Sequence, residues 1–86
     1  MRTLHVTAHE KDAYQAFRAA IKFSTGLVRF IELRISWGVD DNIKFHAIRS
    51  LSDAHRLAGY YFDQIIFDTM VSDEIQAYLH SMVRRP

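Results

Sequence analysis

Residues 59–67 read GYYFDQIIF, and how this run is read decides how many layers the protein has. At about 100° per residue it continues a helix that begins near residue 51. Ser50 or Ser52 serves as N-cap, Asp53 sits in the first turn where it suits the helix dipole, and the helix extends to about Met70. Leu51, Ala54, Ala58, Tyr61, Phe62, Ile65 and Ile66 then share one broad arc. Tyr60, Phe67 and Val71 fall nearly opposite, among Arg56, Asp63, Gln64 and Asp68. A surface helix ordinarily has one apolar stripe, so the second stripe is either covered by a following helix or is a contact surface for another chain. Tyrosine, common at interface hot spots, favours the contact surface.

Outward from this run the patterning is clearer. The opening RTLHVT alternates, with Leu4 and Val6 on one side and Thr3, His5 and Thr7 on the other, which is a short strand. TAHE supplies a capping box of Thr7 and Glu10, and Ala13, Phe17, Ala20 and Ile21 recur at helical spacing. The first helix is therefore expected over about 8–25, ended by Gly26 in the left-handed conformation. LVRFIELRISW alternates again, placing Ile31, Leu33, Ile35 and Trp37 on one face. After the turn GVDDN, IKFHAI resumes the alternation with Ile43, Phe45 and Ala47 inward, completing a β-hairpin. The last helix has Ser72 as N-cap, a stripe of Ile75, Tyr78, Leu79, Met82 and Val83, and RRP at its end.

The expected fold is a single α+β domain over residues 1–86, in the order β-α-β-β-α-α. It has a three-stranded mixed sheet with helices packed on one face. The strand formed by IKFHAI lies either between the other two or outside them. This order resembles a ferredoxin-like domain without its fourth strand, an architectural likeness that implies no function. Trp37, sharing parity with Ile31, Leu33 and Ile35, is expected to be buried.

Composition narrows the function classes. Eleven Lys and Arg against ten Asp and Glu, mixed along the chain, leave a formal charge of +1, a weak footprint for nucleic acid. No cysteine is present, which excludes disulfides and thiolate metal sites. The start lacks the apolar core of a signal peptide, and no run approaches the roughly 18 apolar residues of a membrane span. The expectation is a soluble, cytoplasmic protein without a membrane role.

Candidate chemistry is confined to the sheet face that the helices leave open. It carries His5, Phe30, Glu32, Arg34, Lys44 and His46. Such a set can serve acid–base cleavage of a phosphodiester, or single-stranded nucleic acid, with Phe30 stacking a base and Arg34 and Lys44 meeting phosphates. It is equally what ordinary cross-strand charge pairing leaves on a wet sheet. No nucleophile elbow, zinc-protease motif or glycine-rich phosphate loop occurs, so no catalytic residues, no metal and no cofactor are assigned. The sequence thus points to a non-enzymatic interaction module, a regulatory subunit or inhibitor. It contacts another protein or a second copy of itself, as a homodimer, through Tyr60, Phe67 and Val71. The alternative is a nucleic-acid-binding protein or small ribonuclease using the sheet face.

Overall fold

The computed structural model describes residues 1–57, 60–68 and 70–83. The opening alternation forms β1 (Arg2–Thr7), followed by α1 (Glu10–Ile21). The long alternating run is not one strand. It breaks into β2 (Leu27–Arg29) and β3 (Arg34–Gly38) around a tight turn at residues 30–33, where Leu33 holds a positive φ of 50°. No glycine, proline or asparagine marks that turn, and its closing bonds are Leu33 N–H to the Phe30 carbonyl at 3.3 Å and Phe45 N–H to the Leu33 carbonyl at 2.9 Å. β4 (Asp41–Ala47) completes the hairpin with β3.

The second helix departs most from expectation. α2 covers only Leu51–His55, capped by Ser50, one of the two expected candidates, whose side chain accepts from Asp53 N–H. The aromatic run then leaves the helix and becomes β5 (Gln64–Phe67), before α3 (Asp73–His80) with Ser72 as its N-cap. β5 pairs in parallel with β1, placing Leu4 beside Ile65 and Val6 beside Phe67. Tyr, Phe and Ile are strand-favouring residues, and a short apolar run fits both periods, so partners about sixty positions away decide between them. Ala58, Arg84 and Arg85, which the sequence placed on helices, lie outside the described residues.

The described residues therefore form a five-stranded mixed sheet in the order β2-β3-β4-β1-β5, not a three-stranded one. β4, β1 and β5 run parallel, while β2, β3 and β4 form an antiparallel meander. The general α+β class stands, but the likeness to a ferredoxin-like half does not.

Helices cover both faces rather than one. Register explains why. β1 and β4 place Leu4 beside Lys44, His5 beside Phe45 and Val6 beside His46. Leu4 and Val6 consequently belong to the face opposite Phe45. Two cores result. Leu4 and Val6 pack with Ile48, Ala54, Leu57, Phe62, Val71, Ile75 and Leu79 beneath α2 and α3. Ala13 and Phe17 of α1 pack with Ile35 and Phe45 on the other side.

Three local expectations also change. Trp37 is 49 % exposed, because the register slips between Ser36 and Gly38 and carries it off the inward face. Gly26 is not in the left-handed region; it is small because β3, through two side chains and one backbone carbonyl, presses on it. A Cβ there would meet Ile35 Cγ2 at 2.7 Å, the Ser36 carbonyl at 2.9 Å and Trp37 Nε1 at 2.9 Å. The N-cap of α1 is His9, with no side-chain cap, and Thr7 instead donates from its hydroxyl to the His9 carbonyl at 2.9 Å.

Candidate anion-binding cavity

On the α2 side of the sheet, α2 and α3 cover β1 and β5 but leave the β3–β4 half open. Strand alternation puts Arg34 of β3 beside Lys44 of β4, with Asn42 and His46 on the same face of β4. The short link Ile48–Ser50 then carries the chain over that face, so Arg49, Asp53, Arg56 and Leu57 form a facing wall. Between them lies a cavity of about 540 Å³, also lined by Glu10, Tyr60 and Phe62.

Four permanent cations, Arg34, Lys44, Arg49 and Arg56, line this space. They are not equally free. Arg49 reaches Glu10 at 3.4 Å, and its backbone N–H donates to the Asp53 carboxylate at 3.3 Å. Arg34 lies 3.5 Å from Glu32, and its Nε is buried without a hydrogen-bond partner among the described residues. Lys44 and Arg56 form no ion pair with the described residues. The two carboxylates in the cavity therefore sit with Arg49 at the α1–α2 end, while Arg34, Lys44 and Arg56 dominate the remainder.

His46 stands among these charges. Desolvation lowers its pKa below 6.5, and Lys44 lowers it further, against opposing pulls from Asp53 and Glu10. At neutral pH it is thus an uncharged imidazole, able to donate or accept a hydrogen bond.

The candidate sheet-face residues are divided by the fold. Arg34, Lys44 and His46 come together in the cavity. His5 lies on the α1 face, edge-on to Phe45 with ring centres 5.1 Å apart, and burial lowers its pKa while Asp68 opposes the shift. Phe30 packs edge-on against Phe17 at 5.6 Å, away from the cations. Glu32 lies in the turn and reaches the site only through Arg34.

The three proposed interface residues are likewise separated. Tyr60 is exposed and lines the cavity, Phe67 is half-buried on β5 with its ring 5.1 Å from that of His80, and Val71 lies in the core at 4 % exposure. Arg49 and Arg56 were not singled out in the sequence. Their only signal is the brevity of the β4–α2 link, which turns the chain back over the side chains of β4. Among the described residues no three His, Asp or Glu side chains group as metal ligands, and no helix is long and apolar enough to cross a membrane. No protein family, no curated protein and no solved structure matches this chain.

Proposed function

We propose that the protein binds single-stranded nucleic acid in the cavity between the β3–β4 half of the sheet and α2. The observation that carries this reading is the convergence of Arg34, Lys44 and Arg56 with Tyr60 on one space of about 540 Å³. Cations for phosphates and an exposed ring for a base are the two components of sequence-tolerant single-strand binding. The volume lies within the usual range for a small-ligand site and exceeds what a lone phosphate needs. Neutral His46 adds a hydrogen-bonding group that meets a base or sugar without demanding a second negative charge. The small overall charge of +1 does not oppose this, because four of the eleven Lys and Arg line this one cavity.

The stacking role passes from Phe30 to Tyr60, since Phe30 faces α1. Cleavage is not included in the proposal: Glu10 and Asp53, the carboxylates nearest His46, are engaged with Arg49. Capture of another protein, the other reading of the sequence, drew on a helix face that the chain does not form.

Fluorescence anisotropy with a labelled oligo-dT or oligo-rU ten-mer tests the proposal. Three phosphate contacts give a slope of about −2 in log affinity against log salt. Lys44→Ala and Arg56→Ala should each make that slope shallower, and Tyr60→Ala should weaken binding about 5- to 150-fold at every salt concentration. Absence of binding at about 50 mM salt, where phosphate contacts are strong, rules the reading out. Binding that is unchanged by Lys44→Glu does so too.

A further inference from the structure

The β3–β4 ladder ends with Arg34 beside Lys44, while β4 itself continues to Ala47. Just past that end, Phe45 N–H still donates to the Leu33 carbonyl in the turn, at 2.9 Å. Backbone groups two residues apart on a strand point to the same side. Ala47 therefore turns its N–H and carbonyl to the β3 side, where no described strand pairs with it. The other edge of β4 belongs to β1, which receives the Ile48 N–H on the Thr7 carbonyl at 2.9 Å.

At this open edge, on the α1 side, lies a second cavity of about 330 Å³. Its walls are largely apolar: Ala13 and Tyr14 from α1, Ile31 and Leu33 from the turn, and Phe45 from β4. Glu10, His46 and Ala47 line both this cavity and the anion-binding one, so the two adjoin around the end of β4. Among the described residues no Lys or Arg lines the second cavity. Its volume is at the small end for a ligand site, and its lining suits a flat ring system rather than a phosphate.

The polar groups at the junction select the ring. An ionised Glu10 accepts hydrogen bonds and donates none. Its Oε1 meets Arg49 at 3.4 Å in an exposed pair, which a ligand displaces at little cost. Ala47 N–H, by contrast, needs an acceptor. On the Watson–Crick edge, guanine alone sets one acceptor, O6, beside two adjacent donors, N1–H and N2–H. Adenine and cytosine each offer one donor group there, and uracil one donor between two acceptors.

We infer that the second cavity receives one guanine of the bound strand, Glu10 accepting from N1–H and N2–H while Ala47 N–H donates to O6. This rests on the single-strand reading of the anion-binding cavity and adds a base preference to it. Tyr14 and Ile31, both exposed in the free protein, cover the ring. A base in a single strand enters such a pocket without the unpairing that a duplex demands.

Fluorescence anisotropy with three labelled ten-mers tests the inference: oligo-rU, and the same strand carrying one central G or one central A. The G strand should bind about 5- to 150-fold more tightly than the A strand, as a bidentate base contact provides. Comparing two purines removes stacking from the difference. Glu10→Ala, at an exposed position, should lower the ratio of G to A affinity by about fivefold or more. Inosine, which lacks N2–H, should fall between G and A at the same position. Equal affinity for the G and A strands overturns the inference and leaves the anion-binding cavity standing. A G preference that Glu10→Ala does not reduce, or inosine equal to G, overturns it as well. If none of the three ten-mers binds, the single-strand reading fails and this inference fails with it.

Discussion

Gly26 shows how a single position can be conspicuous in the sequence for one reason and small in the structure for another. A glycine after a helical stretch is the usual mark of a left-handed cap. Here the constraint is contact: β3 approaches until Ile35 Cγ2, the Ser36 carbonyl and Trp37 Nε1 would all lie within 2.9 Å of a methyl. The Ser36 oxygen is backbone within a paired strand and cannot retreat alone. Gly26→Ala should thus destabilise the protein by about 1–3 kcal/mol, the usual cost of overpacking. A urea midpoint equal to that of the parent protein would show that β2 and β3 separate without penalty.

Two histidines give a second prediction at this scale. Burial lowers the pKa of both His5 and His46 below 6.5, more than Asp68, Asp53 or Glu10 raise it. Folding therefore favours the neutral form, and the unfolded chain binds the extra protons. The stability this provides is complete above pH 6.5 and is lost as pH falls through 6.5 toward the depressed values. Thermal melts between pH 7.5 and 5 should show the decline, and His5→Gln, His46→Gln together should flatten it. A decline of equal slope in the double variant would place its origin in the carboxylates.

At the scale of elements, legibility depended on how local the determining contacts are. α3 was readable because its signals lie within one short segment: Ser72 as cap, and Ile75 and Leu79 one turn apart and buried. The β3–β4 hairpin was readable because its strands are adjacent in sequence. β5 was not, because its partner is β1 and nothing in residues 59–67 encodes that pairing. The β2–β3 turn was hidden for a related reason. The residues FIEL carry no turn chemistry, and the chain bends there because Leu33 is held by Phe45 from the neighbouring strand, at the expense of a positive φ.

For the whole molecule, the decisive feature is that the sheet has two cores. Phe17, Ile35 and Phe45 belong to one face, and Leu4, Ile75 and Leu79 to the other. Substitutions on opposite faces share no partner and should be independent. Ile35→Val and Ile75→Val should each cost about 0.5–1.5 kcal/mol, and together their sum to within about 0.5 kcal/mol. A coupling larger than that in chemical denaturation would mean that the faces pack as one unit.

The sequence by itself determined the α+β class, β1, α1, the hairpin, α3 and the cap at Ser72, and narrowed the α2 cap to Ser50 or Ser52, because each depends on residues a few positions apart. It also marked Arg34, Lys44 and His46 as sharing a face, since alternation along two paired strands is a local property. Only the tertiary structure decided that β5 is a strand, that Leu4 and Val6 face away from Phe45, and that Arg49, Arg56 and Tyr60 close over the basic face. Each of these depends on which strand lies beside β1 and in what register. A shift of one residue there exchanges every inward side chain for an outward one, and no local pattern records it.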